Sequence, residues 1–147
     1  MQVKDALCDI HVGPEAGRVL ETCLRGAEQS IRAYAPFMSP MVARILRDKA
    51  RHIGVEVFTP RAGDKWHRRA VKDLKGGFIH RLLFRPSPKV RSVPGHFHAK
   101  VFFIDDYVVL GSANPTFSGM RKNFETVVVC KEPEAVLEMD RFLAGLF

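Results

Sequence analysis

The chain has 147 residues, of which 46% are hydrophobic and 27% charged, and its net charge is +7. This length corresponds to one domain, and this composition excludes a disordered or fibrous chain. No apolar run reaches the roughly 18 residues of a membrane span, so no transmembrane segment is predicted. The first residues contain no basic segment followed by an apolar stretch. We therefore predict a cytoplasmic protein whose three widely spaced cysteines are reduced thiols.

Helical and strand periodicities alternate along the first half of the chain. Ser39 and Asp64 are expected to cap the second and third helices, and Gly76 with Gly77 to end the third. The predicted elements in chain order are helix 14–29, strand 30–37, helix 39–52, strand 55–58, helix 65–75 and strand 78–84.

Three prolines and the lack of any periodicity predict a loop from Arg85 to Gly95. The rest of the chain predicts, in order, strand 98–104, a turn at 105–106, strand 107–110, strand 124–130 and helix 133–147. The alternation favours an α/β fold with a mixed, largely parallel β-sheet flanked by helices.

The positive charge is concentrated in residues 61–91, which carry ten basic and two acidic residues, whereas the remainder of the chain sums to −1. Such a segment is typical of a surface that binds nucleic acid or an acidic lipid, and an ordinary solvated surface is the alternative. Trp66 would either stack on bases or anchor a helix by packing. The predicted substrate-binding residues of this segment are Arg61, Lys65, Trp66, Arg68 and Arg69.

A histidine and a lysine two residues apart carry the chemistry. On a strand, His98 and Lys100 would project from the same face. An imidazole attacks phosphorus or transfers a proton near neutral pH, and an ammonium offsets charge on phosphoryl oxygens. The turn at 111–114, Gly-Ser-Ala-Asn, would bring amide and hydroxyl donors to the same anion. His96 would lie on the same strand face as His98 and would either line the groove or bind a metal together with it. Because two histidines without further ligands nearby make a poor metal site, we predict no metal site and no cofactor.

The pattern His98-x-Lys100-x4-Asp105, followed by Gly111-Ser112-x-Asn114, resembles the HKD signature of the phospholipase D superfamily, in particular its single-motif, Nuc-like endonucleases. The resemblance continues through residues 14–58 and 124–127 and covers nearly the whole chain. It departs from the family pattern in one place, since the spacing of five residues between Asp105 and Gly111 is usually one residue longer. The resemblance implies that residues 1–147 form a single phospholipase D-like nuclease domain.

The resemblance also implies a role for each residue. His98 would attack phosphorus to form a phosphohistidine, and a second HKD histidine would protonate the leaving alcohol and then activate water, with no metal required. Lys100 and Asn114 would bind the nonbridging oxygens, Ser112 would assist, and Glu125 would accept a hydrogen bond from the imidazole Nδ1. Asp105, also a candidate catalytic residue, is more often structural in this family.

The chain contains one HKD motif, and the implied mechanism uses two, so we predict a homodimer with one shared active site. The leading predicted function is a metal-independent nuclease that cleaves DNA or RNA. One alternative is a hydrolase of phospholipids such as cardiolipin, which the lack of an amphipathic anchor disfavours. The other is a non-catalytic nucleic-acid-binding dimer, which the intact set of His98, Lys100, Asn114 and Glu125 disfavours.

Overall fold

The computed structural model describes residues 6–76 and 86–147, which form seven strands and five helices. The predicted strand 78–84 lies outside the described residues. The strands are β1 (Cys8–Gly13), β2 (Ser30–Tyr34), β3 (Gly54–Pro60), β4 (Lys89–Val93), β5 (Val101–Ile104), β6 (Tyr107–Gly111) and β7 (Glu125–Cys130), and the helices are α1 (Ala16–Gly26), α2 (Pro40–Lys49), α3 (Lys65–Lys75), α4 (Phe117–Arg121) and α5 (Pro133–Ala144).

All seven described strands belong to one sheet, in the order β1-β7-β6-β5-β2-β3-β4. The pairs β2–β3 and β3–β4 are parallel, and the other four pairs are antiparallel. The predicted α/β fold with a mixed sheet is therefore confirmed, but the prediction that the sheet is largely parallel is wrong. Parallel neighbours need a long crossover connection, and β5 and β6 are joined by a tight turn that permits only an antiparallel pair.

Helices cover both faces of the sheet. On one face α1, α2 and α3 bury leucines such as Leu20, Leu46 and Leu74 against strand residues. On the other face α5 packs over an aromatic cluster that includes Tyr34 and Phe103. Because apolar surface is buried on both sides, the sheet is a rigid platform whose ends can present polar side chains. None of the described helices is long and apolar enough to cross a membrane.

The periodicities identified most elements correctly, with ends that differ by a few residues. Asp64 caps α3 as predicted, since its carboxylate accepts a hydrogen bond of 2.7 Å from the backbone N–H of His67. Ser39 occupies the N-cap position of α2, but its side chain makes no capping hydrogen bond. The predicted first helix is too long, since α1 ends at Gly26.

Three elements were not predicted from the sequence. The loop predicted at 85–95 is wrong over Lys89–Val93, which forms β4. A strand is possible there because the prolines at 86, 88 and 94 flank it and do not interrupt it. β1 lies at the sheet edge, where Ile10 and Val12 remain exposed. The third unpredicted element, α4, is a helix of only five residues.

Candidate active site

The polar residues of the HKD-like pattern lie at one end of the sheet. Lys100 directly precedes β5, Ser112 directly follows β6, and Glu125 begins β7. Because β5–β6 and β6–β7 are antiparallel, with Val101 opposite Leu110 and Gly111 opposite Val127, these three positions lie at the same end of the sheet. The fold therefore brings together residues that lie up to 25 positions apart in the sequence.

His98 and Lys100 contact each other, although not from the shared strand face that the sequence predicted. The Lys100 Nζ lies 3.1 Å from His98 Nδ1 and donates a hydrogen bond of 2.8 Å to the His98 carbonyl oxygen. The two residues precede β5 in an irregular segment, so the predicted start of that strand at His98 is wrong. His98 is exposed, whereas Lys100 is only 7% exposed. An accessible imidazole therefore sits in front of a buried ammonium.

Burial changes the acidity of that ammonium. Desolvation lowers the pKa of Lys100 below its usual range, and the nearby negative charge of Glu125 partly opposes the shift. Glu125 itself is 7% exposed. A buried lysine facing a buried carboxylate places positive charge where it is poorly hydrated, and such a charge interacts strongly with an incoming anion.

Glu125 is held by hydrogen bonds from two side chains. The Ser112 hydroxyl donates a short hydrogen bond to one carboxylate oxygen, and the Asn123 amide donates one of 3.1 Å to the other. The Ser112 oxygen in turn accepts a hydrogen bond of 3.0 Å from the Thr126 N–H. The predicted hydrogen bond from His98 Nδ1 to Glu125 is thus absent within this chain's described residues, because Nδ1 contacts Lys100 and the carboxylate contacts Ser112 and Asn123. Asn123 was missed in the sequence because it lies outside the motif.

The turn after β6 is shaped by two close backbone approaches. Gly111 has a φ of +153°, and a Cβ there would lie 2.0 Å from the Thr126 carbonyl oxygen. Gly119 of α4 packs so closely that its Cβ would lie 2.4 Å from the Asn114 carbonyl oxygen. The Asn114 Oδ1 is buried and has no hydrogen-bond partner among residues 6–76 and 86–147. Close packing against Gly119 thus holds the Asn114 backbone in place, while its side-chain oxygen is not engaged by another described residue.

Asp105 does not join the other candidate catalytic residues. It lies in the β5–β6 turn, at the opposite end of β5 from Lys100, about 16 Å away at ~3.3 Å per residue. Its carboxylate accepts hydrogen bonds of 3.0, 2.7 and 3.0 Å from the N–H groups of Glu28, Gln29 and Ser30. Burial opposes ionisation, but these three donors outweigh it and lower the pKa of Asp105. Asp105 therefore lies apart from the other candidate catalytic residues, and its hydrogen bonds connect the β5–β6 turn to the start of β2.

The predicted substrate-binding residues lie at the beginning of α3, after β3, and before β5. All six are exposed: Arg61, Lys65, Trp66, Arg68, Arg69 and His96. Trp66 does not anchor the helix, since 56% of its surface is exposed. His96 lies in a turn, so the prediction that it shares a strand face with His98 is wrong. Arg91, at the far end of the basic segment, is paired with Glu56 at 2.5 Å.

Phe37 is a site residue that the sequence did not reveal. Its ring packs edge-on against the His98 ring, with centroids 6.4 Å apart, and it is 40% exposed. It follows β2, whose end meets the start of β5 because Tyr34 pairs with Val101. No local sequence signal could have found it, since the two rings are 61 residues apart along the chain.

Within the part of the chain that the structure describes, no three metal-ligating side chains cluster. The arrangement presents one exposed imidazole and one buried ammonium, with hydroxyl and amide side chains at the same end of the sheet. Such a set of groups matches the needs of phosphoryl transfer: a nucleophile, and donors for the phosphoryl oxygens.

The chain has the same fold as several proteins of known structure. By structure, the chain is similar to Nuc from Salmonella typhimurium, a phospholipase D family member, with 25% identity, a TM-score of 0.72 and coverage of 95% of this chain and 94% of that one. It is also similar to NucT from Helicobacter pylori, with 21% identity, a TM-score of 0.70 and coverage of 97% and 96%. Phosphatidylserine synthase from Haemophilus influenzae Rd KW20 has the same fold, with 12% identity, a TM-score of 0.60 and coverage of 95% and 38%.

A comparison with curated proteins gave no match. The family model described as "Cardiolipin synthase, PLD-like domain" matches residues 20–146, which include every candidate catalytic residue. The chain therefore belongs to the family of phospholipase D-like domains.

Proposed function

We propose that this protein is a metal-independent phosphodiesterase that cleaves DNA or RNA through a phosphohistidine intermediate at a homodimer interface. The observation that carries the proposal is the pairing of an exposed His98 with a buried Lys100, beside Ser112, Asn114 and Glu125. In this arrangement the lysine and the amide supply the positive charge and the donors that a divalent cation supplies elsewhere.

The first step forms a bond between a His98 nitrogen and phosphorus and breaks the bond from phosphorus to the leaving oxygen. The leaving oxygen takes a proton from His98 of the partner subunit, which acts as a general acid. In the second step the same partner imidazole accepts a proton from water. The hydroxide attacks phosphorus, the P–N bond breaks and His98 regains its electron pair.

The contacts of His98 determine which nitrogen can attack. An ammonium can only donate, so the contact with Lys100 requires Nδ1 to accept and places the proton of a neutral ring on Nε2. Attack through Nε2 needs the other tautomer. Substrate binding therefore has to draw the Lys100 ammonium from Nδ1 to the phosphoryl oxygens, after which Nδ1 carries the proton and Glu125 is the carboxylate available to accept it.

A second subunit follows from stoichiometry, because each chain has one HKD histidine and the mechanism uses two. A large apolar side chain lies next to the site: Phe124 directly precedes Glu125 and is 75% exposed. Aromatic side chains are enriched at protein interfaces relative to the rest of the surface. We therefore place the dimer interface around Phe124 and the exposed face of His98.

Mixing subunits tests the shared site directly. If each site needs two His98 rings, equal amounts of wild-type and His98→Ala chains, after exchange, retain about one quarter of the all-wild-type activity, because about one quarter of random pairs are wild-type homodimers. Independent sites would retain about one half. Phe124→Asp should dissociate the dimer in analytical ultracentrifugation and abolish cleavage, and an active monomeric Phe124→Asp protein would contradict the proposed interface.

Nucleic acid is favoured as the substrate by the cations at the start of α3, by the likeness to Nuc and NucT, and by the resemblance to single-motif nucleases of the superfamily. Phospholipid is the other diester class to test, because the matching family description names cardiolipin synthase. Cleavage of single- and double-stranded DNA and RNA in EDTA, beside hydrolysis of cardiolipin vesicles, separates the two classes.

The His98→Ala protein is the control. We expect it to lose cleavage completely while its affinity for nucleic acid, measured by fluorescence anisotropy, falls less than about threefold. An acid-labile, base-stable link between His98 and the phosphate at the end of one nucleic-acid strand, trapped in rapidly quenched reactions, would identify the intermediate. Cleavage of vesicle lipid alone, or binding of nucleic acid without any cleavage by the wild-type protein, would overturn the proposal in favour of the lipid hydrolase or the non-catalytic dimer.

A further inference from the structure

A groove lined by aromatic side chains opens beside the candidate active site. Its volume is about 540 Å³, and its walls come from the segment after β2, the start of α3 and the start of α4. Phe37, Trp66 and Phe117 are the three aromatic rings in the wall besides His67, and they are 40%, 56% and 45% exposed. We call this feature the aromatic groove.

The aromatic groove is built on a fixed frame. His67 is 1% exposed, its Nδ1 accepts a hydrogen bond of 3.2 Å from the Met38 N–H, and its Nε2 lies 2.9 Å from the Pro60 carbonyl oxygen. These bonds tie the start of α3 to the ends of β2 and β3. Because Phe37 and Trp66 are the chain neighbours of Met38 and His67, these bonds fix the backbone that carries both rings, and a backbone fixed in advance lowers the entropy lost on binding.

The rings of the aromatic groove are accompanied by cations. The Lys65 ammonium lies 5.2 Å from the Trp66 ring centroid, and the Lys122 ammonium lies 5.3 Å from the Phe117 ring centroid. Arg69 follows Trp66 by three residues in α3 and is also exposed, so the two side chains are neighbours on the helix surface. An acyl chain would gain little from these ammonium groups, whereas a base attached to a phosphate uses both ring and cation.

The aromatic groove is linked to His98 through Phe37. Phe37 contributes to its wall and also packs against the His98 ring, 6.4 Å away between centroids. A ligand bound at His98 by its phosphate would therefore have its adjoining base next to Phe37. A duplex cannot use such a groove without breaking its own stacking and pairing, which costs free energy, whereas the bases of a single strand are available to stack on aromatic rings.

We propose that the aromatic groove holds an unstacked nucleobase next to the scissile phosphate, which makes single-stranded nucleic acid the preferred substrate class. This inference rests on the proposed function, because it takes His98 as the position of the phosphate. Phe37 and Trp66 act as positioning residues in it, and Lys65 and Lys122 supply charge complementary to the flanking phosphates.

The test measures binding in a protein that cannot cleave. In a His98→Ala background, fluorescence anisotropy gives the Kd for a single-stranded oligonucleotide, for the same strand with abasic sites, and for the duplex. We expect Trp66→Ala and Phe117→Ala each to weaken binding of the normal strand about 5- to 150-fold, the range for loss of one base stack. Phe142→Ala, which removes an exposed ring from α5 on the other side of the sheet, should change the Kd less than twofold.

The abasic strand separates stacking from charge. Abasic sites should weaken binding to the parent His98→Ala protein, and the Trp66→Ala change should then cost no further affinity. The inference is wrong if the abasic strand binds as tightly as the normal strand, if both ring variants weaken duplex and single-strand binding equally, or if they reduce binding to cardiolipin vesicles and not to oligonucleotides.

Failure of this inference differs from failure of the proposed function. If the wild-type protein cleaves no phosphodiester but the affinities behave as expected, the nuclease function is wrong and the base-binding groove stands. If the wild-type protein cleaves DNA or RNA but prefers duplexes, the groove assignment is wrong and the nuclease function stands.

Discussion

Replacement of Asp105 separates a structural role from a catalytic one within the HKD-like motif. The residue adopts a φ of +51°, in the left-handed region, and its carboxylate accepts hydrogen bonds from three consecutive backbone N–H groups after α1. Asp105→Asn retains a side chain that tolerates this conformation but replaces one acceptor oxygen with a donor. Asp105→Ala removes all three hydrogen bonds and adds backbone strain.

The expected magnitude follows from the geometry. A hydrogen bond to a charged group contributes about 1.5–3 kcal/mol, but these three contacts are exposed, so water replaces part of each. We therefore expect each lost hydrogen bond to lower the free energy of unfolding by about 1 kcal/mol. For Asp105→Ala the three bonds together account for about 3 kcal/mol, and the left-handed backbone conformation adds about 1 kcal/mol. Asp105→Asn should lose about 1–2 kcal/mol.

The pH dependence has a definite sign. Because the pKa of Asp105 is lowered in the folded protein, its contribution is complete above about pH 4 and disappears as the pH falls further. Urea denaturation at pH 7 and in acid should show that the difference between wild-type and Asp105→Asn protein shrinks in acid. Cleavage per folded molecule should stay within about twofold of wild type. Unchanged stability with a tenfold loss of activity would refute this reasoning and return Asp105 to the active site.

Two further predictions concern elements that support the site. The Arg121 guanidinium, with help from Arg25 and against the effect of burial, lowers the pKa of Glu21 to about 2. This ion-pair cluster therefore stabilises the fold above about pH 4.5, and its contribution is lost as the pH falls towards 2. Arg121→Gln should lower the urea midpoint at pH 7 and make the midpoint fall less steeply in acid. Gly111→Ala would place a Cβ 2.0 Å from the Thr126 carbonyl oxygen at a φ of +153°, and we expect a loss of about 3 kcal/mol in urea denaturation and reduced cleavage, since Ser112 follows directly.

Matched variants make these two predictions specific. Arg18→Gln removes an exposed arginine of α1 whose partner is the equally exposed Glu15, and it should leave the acid limb of the stability curve unchanged. Gly54→Ala adds a Cβ that has no atom of residues 6–76 or 86–147 within 4 Å, and it should change stability by less than about 1 kcal/mol. Equal effects of Gly54→Ala and Gly111→Ala, or an Arg121→Gln curve that matches wild type, would contradict the structural explanation.

In the candidate site, contacts between residues close in sequence were predictable, and contacts between distant residues were not. The closeness of His98 and Lys100 was predictable because they are two residues apart, although the shared strand face that the sequence predicted is absent, since both precede β5 in an irregular segment. The predicted hydrogen bond between His98 and Glu125 does not form, because Glu125 accepts hydrogen bonds from Ser112 and Asn123. Which donors reach Glu125 depends on how β6 and β7 pair, and the local sequence does not show this. The role of Asp105 likewise depends on residues about 75 positions earlier in the chain.

Strand directions show the same limit on a larger scale. The apolar periodicity of residues 101–104 and 107–110 predicted a hairpin, which β5 and β6 form. Periodicity reports only which side chains are buried and carries no information about the neighbouring strand. The antiparallel pairing of β2 with β5 therefore could not be predicted, and neither could β1, an edge strand whose exposed Ile10 and Val12 blur the pattern.

From the sequence alone, the cap of α3, the hairpin and the residue types of the candidate site could be read, because each depends on bonds or side chains within a few positions of one another. The tertiary structure decided which groups became neighbours: Phe37 beside His98, Trp66 and Phe117 around one groove, and Asp105 far from the site. The physical reason is that burial of apolar surface on both faces of the sheet sets the order of the strands, and that order determines which distant side chains meet at its ends.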